Sequence, residues 1–190
     1  MTGYADSANS KTILDLQAMK LDKHKISCLT AYDASFAKLF SRAGVDVLLV
    51  GDSLGMVVQG KESTLPVSLQ DVVYHTQLVA RGNEGAFIIA DLPFMTSATP
   101  IDAANNASQL IQQGGAQMVK LEGAKLDAIE FMVQQGIPVC GHLGLLPQSI
   151  NQLGKYSVQG KTDEAASKIL DDAVAVEKAG AQLLILECIP

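Results

Sequence analysis

Six polar residues stand where apolar runs of this chain end: Asp33, Asp52 after VLLVG, Asp91 after FIIA, Glu122 after VKL, His142 in GHLG and Glu187 after LLIL. Charges this close to apolar strands are costly unless they are solvated, paired or bound to metal. If Asp52, Asp91 and Glu122 meet, three carboxylates repel one another, and a hard divalent cation is the simplest way to keep all three ionised. An oxygen-only set points to Mg²⁺ over Zn²⁺. Lys120 precedes Glu122 by two positions, so in a strand both face the same side. A cation there can hold a substrate carboxylate or stabilise an enolate oxygen. Glu187, a carboxylate against an apolar run, suits a general base with raised pKa. The plainer alternative is that such acids cap helices or face solvent, and that His142 is a hydrogen-bonded structural residue.

The stretch Gly51-Asp52-Ser53-Leu54-Gly55 follows an apolar run but matches neither GxGxxG nor GxxxxGK[ST], so it gives no nucleotide fingerprint. Glycine there allows close backbone approach, and the Ser53 N–H and hydroxyl can bind a carboxylate. Residues 154–161, GKYSVQGK, are polar and glycine-flanked, which suits either a mobile lid or an ordinary surface loop.

The elements that must position these groups repeat. Apolar runs lie at 26–30, 45–50, 86–90, 117–121, 137–140 and 182–186, several of them apolar at nearly every position, as in VDVLLV and QLLIL. That continuity suits strands buried on both faces, the habit of parallel sheets. Helical periodicity fills the intervals: Leu69, Val72, Val73, Thr76 and Val79 form one stripe. Thr99 can cap a helix opening at Pro100, and Thr162 one opening at Asp163. Gly44, Gly82, Gly114, Gly136 and Gly180 each follow a helical stretch, where a left-handed stop is expected. The phrase "helix, glycine, short link, apolar run" recurs, so the chain is expected to be an all-parallel α/β fold. Its polar residues would then gather on one rim, at the C-terminal ends of the strands. Residues 10–25 read as a separate amphipathic helix with Ile13, Leu14, Leu16 and Met19 on its apolar side. The expected division is an N-terminal helical segment, 1–25, and a catalytic domain, 26–190.

The 190 residues carry 14 Lys plus Arg against 20 Asp plus Glu, net charge −6, which argues against a general nucleic-acid surface. No apolar run is long enough to span a membrane, and residues 1–9 lack the apolar segment of a secretory signal. Cys28, Cys140 and Cys188 sit in apolar runs without paired spacing, so they are expected to be small buried hydrophobes of a reducing, cytoplasmic protein.

The stretches TAYDASFAKLF, LLVGDSLGMVVQG, STLPV, DLPFM, MVKLEG, PVCGHLGLLPQS and AGAQLLILECIP resemble the ketopantoate hydroxymethyltransferase family, in family order from about residue 30 to residue 190. The resemblance implies a (β/α)8 TIM barrel of the phosphoenolpyruvate/pyruvate type. It implies transfer of a hydroxymethyl group from 5,10-methylenetetrahydrofolate to 3-methyl-2-oxobutanoate, giving 2-dehydropantoate for pantothenate and coenzyme A synthesis. The family's Mg²⁺ positions fall on Asp52, Asp91 and Glu122, its 2-oxo-acid contacts on Asp52, Ser53, Asp91 and Lys120, and its proton acceptor on Glu187. His142 is left to orient a water or the keto oxygen. The family's homo-oligomers are decamers. An eight-unit barrel typically needs about 250 residues, so the expectation is six βα units with the C-terminal two missing, poorly active alone. Another Mg-dependent 2-oxo-acid lyase or mutase of the same superfamily, or a non-catalytic fragment, are the competing readings.

Overall fold

Six strands, β1 (Cys28–Thr30), β2 (Val47–Val50), β3 (Phe87–Asp91), β4 (Met118–Glu122), β5 (Val139–Gly144) and β6 (Leu183–Glu187), form one sheet in the order β1-β2-β3-β4-β5-β6. Every neighbouring pair is parallel. The computed structural model describes residues 10–190, and the expectation about residues 1–9 lies outside them. Helices separate the strands: α1 (Ile13–Leu21) before β1, then α2 (Ala34–Arg42), α3 (Leu54–Val57), α4 (Leu69–Gly82), α5 (Pro100–Gln112), α6 (Leu126–Gln134), α7 (Ile150–Leu153) and α8 (Asp163–Lys178). These are five successive βα units and a sixth strand of the (β/α)8 architecture, with β1 and β6 as the edges of the sheet.

The helix starts are written in the sequence. Thr99 accepts the Asp102 N–H ahead of Pro100, and Thr162 accepts the Ala165 N–H. Ser68 and Asp71 form a reciprocal capping box at α4.

Strand alternation divides the side chains between two cores. Leu48, Val50, Ile88, Ala90, Val119, Leu121 and Val139 pack with buried residues of α2, α4, α5, α6 and α8. Val47, Phe87, Ile89, Met118 and Cys140 form the opposite core, closed by Leu16 of α1 with Ile13 and Met19. The register pairs Asp91 with Lys120 and Glu122 with His142. By parity, Asp91 shares the face of Phe87 and Ile89. Lys120 and Glu122 share that of Met118, His142 that of Cys140, and Glu187 that of Leu183 and Ile185. Five polar strand-end groups therefore continue one face, above its apolar layer.

Several local expectations differ from the fold. Helix α1 is shorter than 10–25, and Leu14 is 70% exposed because only Leu16 of its expected stripe lies fully buried. Cys140 is buried, but Cys28 and Cys188 are exposed, one on the edge strand β1 and the other just past the edge strand β6. Gly44, Gly136 and Gly180 do adopt positive φ, whereas at the end of α5 the left-handed residue is Gly115. Gly82 is needed for a different reason: a Cβ there would collide with the Ala34 backbone, so glycine lets α4 approach α2.

Candidate active site

Asp52, Asp91, Lys120, Glu122 and His142 are all buried, each 5% exposed or less. With Ser53 and Glu187 they line one cavity of about 120 Å³, alongside Thr30, Leu49 and Ile185. Four strands deliver five of these groups directly. Asp52 and Ser53 arrive on the turn between β2 and α3, and the Ser53 hydroxyl makes no capping bond to α3. A larger groove of about 430 Å³ between α1, α8 and β6 is mainly aliphatic, with Leu16, Leu183 and Leu184 among its walls. It lies away from the acidic rim.

Asp33 does not join the cluster. It caps α2, accepting the Ser35 and Phe36 N–H groups, so the plainer reading of strand-end acids holds for this one residue.

Inside the cavity, Lys120 Nζ sits 2.7 Å from Asp91 Oδ2. The Asp52 N–H points at the same oxygen at the long limit of 3.5 Å. Lys120 Nζ also lies 3.3 Å from His142 Nδ1. An ammonium has no acceptor, so Nδ1 must accept and the ring proton sits on Nε2. That Nε2 is 3.2 Å from Glu187 Oε2, though without the alignment of a hydrogen bond. Glu187 is the most open member, its side chain 40% exposed.

Gly144 fixes the end of β6. It has φ +90, and a Cβ there would collide with the Glu187 carbonyl oxygen, which accepts the Leu145 N–H at 2.8 Å. The loop 154–161 reaches the same strand end, where the Gln159 N–H donates to the Cys188 carbonyl at 2.8 Å.

One residue of the site has no counterpart in the sequence reading. Gln148, in the 3-10 turn Pro147–Ser149, donates to Asp52 Oδ2 at 2.8 Å and to the Leu92 carbonyl at 2.9 Å. Its backbone N–H donates to Glu122 Oε2 at 3.1 Å. The signal that could have found it is the Pro-Gln-Ser after an apolar strand. Proline opens a tight turn whose next N–H has no partner within the turn.

Burial dominates the electrostatics. Desolvation, reinforced by the negative charge of Asp91, pushes the Asp52 carboxyl up to about 7. Desolvation also raises Glu122 to about 8, with Asp91 and Asp52 adding to it and Lys120 opposing. Burial works against the Lys120 charge, yet the surrounding carboxylates outweigh it and push it up to about 12. Both raised carboxyls hold protons more tightly folded than unfolded. Above their ordinary values of 3.8 and 4.5 the unfolded chain loses protons that the folded chain keeps until about 7 and 8. Stability contributed this way is therefore lost as pH rises through that window. In chelator, the melting temperature is expected to be lower at pH 8 than at pH 5.5 by about 5 °C or more. Acids held low by hydrogen bonds, such as Asp71 by Ser68, finish titrating below it. A melting temperature that climbs between these pH values would contradict the electrostatics.

Among the described residues, no three His, Cys, Asp or Glu side chains stand close enough to ligate one ion directly. Asp52, Asp91 and Glu122 therefore line one cavity without together standing close enough to ligate one ion directly, which leaves sharing through the ion's waters. Lys120 draws off Asp91 Oδ2, and Gln148 draws Asp52 and Glu122 onto itself. The residues nonetheless suit a hard cation. Asp91 Oδ1 and Glu122 Oε1 are buried acceptors with no hydrogen-bond partner. The acidic groups offer only oxygen, and Mg²⁺ typically binds one or two carboxylates while keeping several waters. A cavity of about 120 Å³ has room for an ion with some of its water.

The sequence profile of the family described as ketopantoate hydroxymethyltransferase matches residues 10–190. A relative from Nitrosococcus oceani, named 3-methyl-2-oxobutanoate hydroxymethyltransferase, is 56% identical over 181 residues, 94% of this chain and 69% of the relative. The fold is similar to that of 2,3-dimethylmalate lyase, described as a PEP mutase/isocitrate lyase superfamily member. The TM-score is 0.67 at 19% identity, over 92% of this chain and 62% of that one. It is also similar to phosphonopyruvate hydrolase, solved in complex with oxalate and Mg++, with TM-score 0.68 at 13% identity, over 93% of this chain and 63% of that one. The chain thus spans somewhat under two thirds of the length of these two structures.

Proposed function

The chain belongs to the ketopantoate hydroxymethyltransferase family, a family of enzymes, and we propose that its strand-end cavity is where 3-methyl-2-oxobutanoate is deprotonated and takes a one-carbon unit from 5,10-methylenetetrahydrofolate. The product would be 2-dehydropantoate, a precursor of pantothenate. The observation that carries this reading is the placement of one buried ammonium, Lys120, among Asp91, Glu122, His142 and Glu187 on one face of successive parallel strands.

Asp52, Asp91 and Glu122 would hold Mg²⁺, directly or through water. When bound, the ion supplies Lewis-acid polarisation of the keto oxygen and charge against the developing enolate. Lys120 donates to the substrate carboxylate from its place beside Asp91. The Ser53 N–H and its free hydroxyl receive the same carboxylate from the end of β2, two strands away on the same rim. Asp52 and Asp91 bound the pocket that fixes the 2-oxo acid. Glu187 Oε2 takes the C3 proton as the C3–H bond breaks. Its partial exposure gives that proton a way out to solvent. His142 Nε2, 3.2 Å from Glu187 Oε2, stands beside the carboxylate and limits how far it can turn. The substrate carbon then forms a bond to the folate-borne methylene. One water is consumed, because a methylene leaves the folate and a hydroxymethyl group stands in the product.

No helix among the described residues is long and apolar enough to cross a membrane. A cytoplasmic homo-oligomer is the setting proposed for it.

The test is product formation by the full-length protein. Omission of either Mg²⁺ or 5,10-methylenetetrahydrofolate is expected to abolish 2-dehydropantoate. Mg-dependent turnover of a 2-oxo acid without folate would instead select the lyase or mutase reading.

A further inference from the structure

We infer that Gln148 is a positioning residue that sets Asp52 and Glu122 as a pair for a divalent cation, an inference that builds on the metal reading above. Its two side-chain N–H bonds go to Asp52 Oδ2 at 2.8 Å and the Leu92 carbonyl at 2.9 Å, and its backbone N–H goes to Glu122 Oε2 at 3.1 Å. Both side-chain partners are acceptors, so only the amide nitrogen, and not its oxygen, satisfies the pair. The Leu92 carbonyl belongs to the backbone just after β3, so the amide is anchored to a rigid element and not only to the two acids. Gln148 is 8% exposed, and the 3-10 turn that carries it opens with Pro147.

The choice of glutamine has a chemical consequence. Lys120 meets Asp91 with a full positive charge, which competes with any cation for that carboxylate. The side-chain amide donates to Asp52 without neutralising it, and the main-chain N–H does the same for Glu122, so both are oriented while their charge stays available. Each bond also occupies one carboxylate oxygen. On Glu122 it leaves Oε1 buried and without a hydrogen-bond partner. Gln148 thus tethers one oxygen of each acid, and on Glu122 the other is left without a partner, which is how an outer hydrogen-bond donor orients a metal ligand.

The experiment uses Mn²⁺ as a paramagnetic probe, with binding followed by electron spin resonance in wild type, Gln148→Met and Gln148→Asn. Melting in chelator is recorded for each. Methionine keeps the length and the backbone N–H but removes the side-chain donors; asparagine keeps the amide but falls one methylene short. Mn²⁺ affinity is expected to weaken about 10- to 100-fold in each variant, with unfolding still cooperative. A loss under about tenfold in either folded variant overturns the inference. So does affinity lost together with cooperative unfolding in both variants, since that marks a structural role. Absence of Mn²⁺ binding by wild type would instead overturn the metal reading itself, a separate result.

Discussion

Replacing Glu187 with glutamine is expected to slow hydrogen exchange at C3 of 3-methyl-2-oxobutanoate by about 10²- to 10⁴-fold, the usual contribution of a positioned general base. The exchange is followed by proton NMR in D₂O without folate, which isolates the deprotonation from the carbon–carbon bond formation. The substitution is nearly isosteric and the side chain is 40% exposed, so the fold has little at stake. The contact that fixes the strand end is made by the main chain, Leu145 N–H to the Glu187 carbonyl at 2.8 Å, and survives the change. Mn²⁺ affinity should stay within a few-fold of wild type, because Glu187 lies across His142 from Glu122. Wild-type exchange in the variant would remove Glu187 from its role as base.

The largest stability effect is expected at Lys120. Lys120→Met deletes the ammonium 2.7 Å from Asp91 and leaves that buried carboxylate facing Asp52 and Glu122 without a counter-charge. Breaking a buried pair from one side costs about 3–5 kcal/mol. For a chain of this size that corresponds to a fall in melting temperature of about 10 °C in chelator. Adding Asp91→Asn to the same chain removes the orphaned charge, and most of the loss should return. A single variant as stable as wild type would mean that Asp91 and Lys120 are not coupled as the distance implies. The same cycle reports on function, since Lys120→Met also removes the group proposed to hold the substrate carboxylate.

Strand parity made much of the site legible. Lys120 and Glu122 are two apart in an apolar run, so their common side follows from the pleat alone. Asp91 and Glu187 close runs whose continuity marked them as parallel strands, fully buried for β3 and half-buried for the edge strand β6. Asp33 shows the limit of that reasoning, because the same position after a strand is also the first position of a helix. Its side chain turned to the Ser35 and Phe36 N–H groups. Whether an acid caps or faces the rim depends on where the next helix starts, and Asp33 leads straight into α2 whereas Asp52 is followed by Ser53 at the start of α3.

Gln148 was invisible for a different reason. An uncharged amide in a link carries no pattern, and its partners Asp52 and Glu122 lie 96 and 26 residues away. Only the fold brings them within hydrogen-bond reach. The same holds for the spacing of the three carboxylates, since sequence places the acids on one rim but not the donor each one meets, Lys120 for Asp91 and Gln148 for Asp52 and Glu122. Leu14 failed on local grounds: α1 has a single layer to cover, and one turn of its stripe is left facing water.

The most direct test is anomalous diffraction from crystals of the protein soaked with Mn²⁺ and 3-methyl-2-oxobutanoate. The expected result is one anomalous peak inside the cavity of Asp52, Asp91 and Glu122, roughly 2 Å from at least one of their oxygens. Waters should link it to the remaining carboxylates, and the keto acid should sit beside it with its carboxylate on Lys120. A peak only elsewhere on the protein, or a keto acid bound away from these strand ends, would contradict a cation-assisted site at this rim.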